Sequence, residues 1–282
     1  MTSPATDLFP HEELRPIQEE MVRLIQREVA GKGSAVIHAP TGLGKTAASI
    51  APAVSYARAH NKTVFFLTSR NTQHRIAVDT LRAIKQRHGK DIIASDIIGK
   101  KWMCIQPGVH VLSTGEFNEY CKALREDKRC SFYEDLKKGE SFAPQTRLAL
   151  QELTQQSPSH VQDVIAAGQE HGLCPYELGL LLAAKSNVII ADYYYLFHPR
   201  IRDNFLKKNN KSLEDAIIII DEGHNLPNRI KDLASQSLSS GMLRRAANEA
   251  KKFGHNEIQE VCERLSQVLT SLLGARDEAY VT

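Results

Sequence analysis

The stretch APTGLGKT at residues 39–46 constrains the fold more than any other part of this chain. The apolar run AVIHA (35–39) leads into it as an expected strand, and KTAASIAPAVSYARAH (45–60) continues as a helix. Strand, glycine-bearing loop and helix in that order form a phosphate-binding loop. Gly42 and Gly44 let backbone N–H groups face an anion with no Cβ in the way. The helix behind them adds the positive end of its dipole. Lys45 can reach β- and γ-phosphates, and the Thr46 hydroxyl can ligate Mg²⁺. Thr41, Gly42, Gly44, Lys45 and Thr46 are therefore candidate ATP-binding residues, although Ala39 stands where such loops usually begin with Gly.

A phosphate loop needs an acidic partner at the end of a neighbouring apolar strand. AIIIIDEGHN (216–225) supplies one. Its four isoleucines predict a central parallel strand covered on both faces. Asp221 then sits where it can hold Mg²⁺, and Glu222 where it can polarise an attacking water. KTVFFLTS (62–69) and SNVIIADYYYLF (186–197) give two more strand signals, with Tyr193, Tyr194 and Tyr195 expected as strand packing with one functional face. Helical patterns occupy 11–30 and 72–88. The alternation of strands and helices predicts an α/β fold with a parallel sheet.

From residue 100 to residue 178 the strand signals fade, and four of the five cysteines appear among charged helical pieces. SPSHVQDVIAAGQEHG (157–172) is framed as a helix, with Ser and Pro at its start and Gly172 at its end. After residue 228 the chain reads as helix throughout. Cys262 lies at an apolar helical position and reads as core. The start of the chain has no basic segment followed by an apolar run, so a reducing compartment is expected and disulfides are not. No apolar run is long enough for a membrane span, so no membrane partner is expected. With a formal net charge of only +3, any nucleic-acid footprint must be local.

APTGLGKT and DEGH together resemble motifs I and II of superfamily 2 helicases. RPIQ (15–18) resembles the segment by which those enzymes recognise adenine, and LTSR (67–70) their DNA-contacting motif Ia. KKWMCIQP (100–107), GLCPYE (172–177) and ADYYYLFHP (191–199) resemble the XPD-type iron–sulfur helicases, whose layout the bacterial DinG proteins share.

That resemblance implies a RecA-like P-loop motor domain over 1–99 and 179–228, interrupted by a mainly helical four-cysteine iron–sulfur domain over 100–178. The start of a helical arch domain over 229–282 would follow, with the second motor domain and its arginine finger outside the chain. It implies ATP, Mg²⁺ and a 4Fe–4S cluster as cofactors. Lys45, Asp221 and Glu222 are the expected catalytic residues, with Arg15, Gln18 and His224 also on the nucleotide. Cys104, Cys121, Cys130 and Cys174 are the expected cluster ligands, separated by 17, 9 and 44 residues. Spacing alone leaves buried thiols open, while structural zinc sites normally use closer pairs. Arg70, Lys100, Lys101 and Tyr176 are the expected DNA contacts. The basic residue often found four positions after that tyrosine is here Leu180.

The expected function is an ATP-dependent 5′–3′ DNA helicase acting on single-stranded DNA and single/double-strand junctions in repair. The expected state is a monomer with repair-protein partners, in the cytoplasm or, in eukaryotes, the nucleus. The alternative is a non-motor module that binds single-stranded DNA and keeps only vestigial nucleotide binding.

Overall fold

The β-branched and aromatic run TVFFL forms β1 (Thr63–Leu67), buried along its whole length. The computed structural model describes residues 8–40, 42–235 and 238–273. In it β1 pairs in parallel with β5 (Val188–Ala191) on one side and β6 (Ala216–Ile220) on the other. β2 (Ala94–Ile97) pairs in parallel with β5, giving the order β2-β5-β1-β6.

Successive side chains of a strand point to opposite faces. Val64, Phe66, Val188 and Ile190 enter one core, beneath α1 (Pro16–Ala30), α2 (Lys45–Ala59) and α3 (Asn71–His88). Phe65, Leu67, Ile189 and Ala191 enter the other, with α7 (Pro144–Gln156), α8 (Val161–His171) and α9 (Pro175–Lys185). The cysteine-bearing segment thus supplies a covering layer of the sheet: Leu153, Val164 and Leu178 of these three helices are buried there. Leu180 is buried in the same core, so the position where a cation was anticipated faces inward. α9 spans residues 178 and 179, the expected boundary between the cysteine domain and the second part of the sheet domain.

Before this layer come α4 (Lys100–Met103), α5 (Thr114–Glu126) and α6 (Ser131–Glu134), then a small hairpin of β3 (Lys137–Lys138) and β4 (Ser141–Phe142). A capping box starts α5: the Ser113 hydroxyl accepts from the Glu116 N–H, and the Glu116 carboxylate accepts from the Ser113 N–H. After β5, α10 (Tyr194–Phe197) and α11 (Pro199–Asn209) lead to β6.

Three strand expectations change. Residues 35–39 form no strand, and Val36 is fully exposed. β6 is an edge strand: Ile217 and Ile219 pack against the first core, whereas Ile218 and Ile220 are exposed. Both results have one physical cause, because a strand is buried by its neighbours and no described segment pairs with the outer edge of β6. The third change is at the tyrosines. Asp192 accepts a hydrogen bond from the Tyr194 N–H at 3.0 Å, which turns the chain out of β5 and into α10.

The chain divides into two units, Met1–Pro227 and Asn228–Thr282. α12 (Leu226–Ala234) runs across the division. Within the second unit α13 (Ser240–Lys252) packs on α14 (Asn256–Leu273), burying Leu243, Ala250 and the core-read Cys262. Among the described residues no helix is long and apolar enough to cross a membrane.

Candidate functional site

Parallel sheets present their sites beyond the carboxyl ends of the strands. Here β1 ends into Thr68, Ser69 and Arg70, and β6 ends into Asp221 and Glu222. The phosphate loop reaches the same edge. Gly42 and Gly44 have φ of +84° and +83°, values that need glycine, and Gly44 is the N-cap of α2. A Cβ on Gly44 would come 2.5 Å from Gln18 Nε2. The buried Gln18 amide donates to the Leu43 carbonyl at 2.6 Å, and Arg15 Nη1 donates to the Gly42 carbonyl at 3.3 Å. Arg15 and Gln18 therefore hold the loop itself. Thr41 lies outside the described residues.

Lys45 Nζ donates to the carbonyls of Ala39 at 3.1 Å and Pro40 at 3.3 Å. Thr46 is half-buried in the first turn of α2. Burial raises the Asp221 carboxyl above the usual aspartate range and the neighbouring Glu222 adds to this, while the Thr68 hydroxyl, donating at 3.3 Å, and the Lys45 cation oppose it. Glu222 sits at φ +51°, the left-handed region that costs a non-glycine residue about 1 kcal/mol. His224, exposed, lies 3.4 Å from the Glu222 carboxylate.

Tyr193 holds this strained turn. Its side chain is buried, and its hydroxyl donates to the carbonyls of Asp221 and Glu222. It also hydrogen-bonds to the Ser69 side chain. Sequence reasoning assigned Tyr193 to strand packing with one functional face and placed Thr68 only within the DNA-contacting segment LTSR, not beside Asp221. The signal available for Thr68 was its place immediately after a fully buried strand at the site edge.

The four cysteines gather at helix ends and on one helix face. Cys104 caps the C-terminus of α4, Cys121 lies on α5, and Cys130 and Cys174 are the N-caps of α6 and α9. All four line one pocket, walled by Phe117, Leu124, Phe132 and Tyr133. Burial raises the Cys104 thiol, opposed by the Gln106 N–H, with Cys121 and Cys130 raising it further. Burial pushes the Cys174 thiol up to about 11, against the opposing N–H groups of Glu177 and Tyr176 and the Lys100 charge. Gln106 Nε2 donates to Cys130 Sγ at 3.6 Å. Arg125, which also lines the cavity, buries an Nε with no hydrogen-bond partner among the described residues.

No three His, Cys, Asp or Glu side chains among the described residues converge as a single metal ion would require. The pocket instead gathers four thiols in its lining, with N–H donors to sulfur and two cations. That donor set fits a four-thiolate iron–sulfur cluster better than one zinc ion.

The expected DNA contacts divide. Arg70 is exposed at the N-cap of α3. Lys100 Nζ lies 5.7 Å from the Tyr176 ring centroid. Tyr176 is half-buried in the cavity wall and hydrogen-bonds to Tyr195, so it does not stand free in solvent. Lys101 donates to the Leu112 carbonyl.

Comparison with known proteins places the chain among helicases. The DEAD_2 family model matches residues 66–243, and that of the type III restriction enzyme res subunit matches residues 11–104. The general transcription and DNA repair factor IIH helicase subunit XPD of Schizosaccharomyces pombe is 23% identical over 302 residues, covering 96% of this chain and 38% of that protein. The Fanconi anemia group J protein homolog of Gallus gallus is 26% identical over 201 residues, covering 70% of this chain and 15% of that protein. Among solved structures, an XPD helicase matches with TM-score 0.59 at 22% identity, covering 90% of this chain and 41% of that one. A truncated XPD matches with TM-score 0.57 at 22% identity, covering 95% and 68% respectively. The chain spans only 38% of the length of the S. pombe relative.

Proposed function

The chain belongs to the DEAD_2 family of XPD-like superfamily 2 helicases, and from that premise we propose that it is the nucleotide-hydrolysing part of an ATP-dependent 5′–3′ DNA helicase. Such an enzyme couples hydrolysis to movement along single-stranded DNA and to unwinding at single/double-strand junctions, in DNA repair. The observation that supports this reading is the positive-φ loop of Gly42 and Gly44 opening α2, together with Asp221 and Glu222 directly after β6 of a parallel sheet.

In this reading Lys45 leaves its loop carbonyls for the phosphates of ATP. Thr46 and Asp221 hold Mg²⁺, which offsets phosphate charge when bound. Glu222 orients and polarises the attacking water. Arg15 and Gln18 fix the loop beside the adenine, and His224 restrains Glu222. Arg70, Lys100 and Lys101 contact the DNA backbone. Cys104, Cys121, Cys130 and Cys174 hold a 4Fe–4S cluster, which would tie α4, α5, α6 and α9 together.

The 282-residue chain by itself turns over ATP slowly, because P-loop motors are completed by an arginine from a second domain. In a complete enzyme Lys45→Ala abolishes DNA-stimulated ATPase and unwinding while DNA retention persists. Undiminished ATPase in that variant refutes the reading; retention of DNA with no ATP turnover in the wild type favours the non-motor module. Anaerobic purification tests the cluster. A brown, iron-containing protein supports it, and a colourless, zinc-containing one overturns it.

A further inference from the structure

The chain has a single tryptophan, Trp102, and it is 65% exposed. Exposure alone means little for one side chain, but this indole is held in place. The Trp102 backbone N–H donates to the Gly99 carbonyl at 2.8 Å, closing the turn that carries the side chain, and the indole lies over Gly99, where an added Cβ would sit 3.3 Å from its Cδ1. Lys101 Nζ stands 4.9 Å from the ring centroid and is itself fixed by the Leu112 carbonyl. The ring is oriented before any partner arrives, which lowers the entropy lost on binding.

An open groove of about 640 Å³ begins at Lys100, two residues before the indole. Lys100, Lys122 and Arg125 line it with Asn118 and Tyr133, and Glu126 is its one carboxylate. Trp102 does not line the groove, but it shares the single turn of α4 with Lys100, which does. An exposed aromatic one helical turn from a mainly cationic groove matches the chemistry of single-stranded nucleic acid, in which bases stack and phosphates need cations. A protein partner would more often meet a neutral aromatic patch.

We propose that Trp102 is a base-stacking platform for single-stranded DNA, with Lys100 and Lys122 taking the phosphates of the same strand. This rests on the reading of the chain as a DNA motor and names a contact residue within it. Tyr176, the aromatic expected there from sequence, is half-buried and engaged by Tyr195 and Lys100.

The single tryptophan makes the test direct. The full chain is titrated with fluorescein-labelled oligo-dT, read by anisotropy, and with unlabelled oligo-dT, read by tryptophan emission. Quenching of Trp102 should follow the anisotropy isotherm. Trp102→Ala should weaken binding about tenfold, with Trp102→Phe recovering most of it. Lys122→Ala should weaken binding and reduce its salt dependence by about one phosphate contact. Binding with constant emission and unchanged affinity in Trp102→Ala overturns the assignment, marks a protein-facing indole, and leaves the motor reading intact. No binding of oligo-dT by the wild type removes both.

Discussion

The hydroxyl of Tyr193 donates to the backbone carbonyl of Glu222 at 3.1 Å. One buried phenol thereby ties the end of β5 to the left-handed turn that carries Glu222, the proposed catalytic carboxylate. Its contact with Ser69 adds the loop that carries Arg70, so the proposed nucleotide edge and the proposed DNA contact share one anchor. Tyr193→Phe keeps the ring and removes only the hydrogen bonds. It should cost about 1 kcal/mol of stability. It should also lower kcat for ATP while leaving nucleotide affinity near wild type. Denaturant melts with steady-state ATPase assays of the complete enzyme check this; an unchanged kcat refutes the role.

Asp221 should make the fold less stable as pH rises. Its folded pKa is raised, chiefly by burial, above its unfolded value. The native state therefore holds that proton more tightly than the unfolded chain does. The contribution is fully present below the unfolded pKa and is lost as pH rises through the folded pKa. Asp221→Asn should melt higher than wild type at neutral pH, with the difference vanishing in acid, and should be inactive. Thermal melts from acid to neutral pH measure this, and a variant less stable at neutral pH contradicts it.

The elements that sequence identified correctly are those whose burial is local information. β1 and β5 read as strands because apolar side chains occupy both faces. Gly42 and Gly44 read as a tight loop ahead of α2 because their positive φ is a glycine property. The run at 217–220 has the same apolar content as β1, yet forms an edge. Which strand lies beside it is a tertiary fact that the run does not encode. The four cysteines declared themselves by composition, but their shared cavity depends on three helix ends meeting α5. Tyr193 was misread as a continued strand, although Asp192 before it was a usable turn signal.

Asp96 predicts a stability effect remote from the nucleotide. It is fully buried on β2, pairs with His74 Nδ1 of α3 at 2.5 Å, and accepts from the Val161 N–H of α8 at 3.1 Å. It thus joins a helix from one face of the sheet to one from the cysteine-bearing segment. Asp96→Ala leaves both partners buried without an acceptor and should cost about 3 kcal/mol. Urea denaturation gives the value; a loss below about 1 kcal/mol would show that the two helices are held by packing alone.

Gly44 and Gln18 form the most restrictive pair at the phosphate loop. Gly44→Ala meets two separate obstacles. Its φ of +83° disfavours any L-residue, and its new Cβ would stand 2.5 Å from Gln18 Nε2. The first costs about 1 kcal/mol wherever it occurs. The second displaces Gln18 and breaks its bond to the Leu43 carbonyl, so the loop loses its anchor on α1. Nucleotide affinity should fall at least about tenfold, from the 1.4 kcal/mol that the two effects together exceed. Gln18→Ala alone removes the anchor without the strain. Adding Gly44→Ala to it should therefore cost less than Gly44→Ala costs the wild type, because the clash is gone. Fluorescent-nucleotide titrations of the two single variants and the double variant measure this coupling. Strict additivity would mean that Gln18 does not position Gly44, and that backbone strain alone makes the glycine necessary.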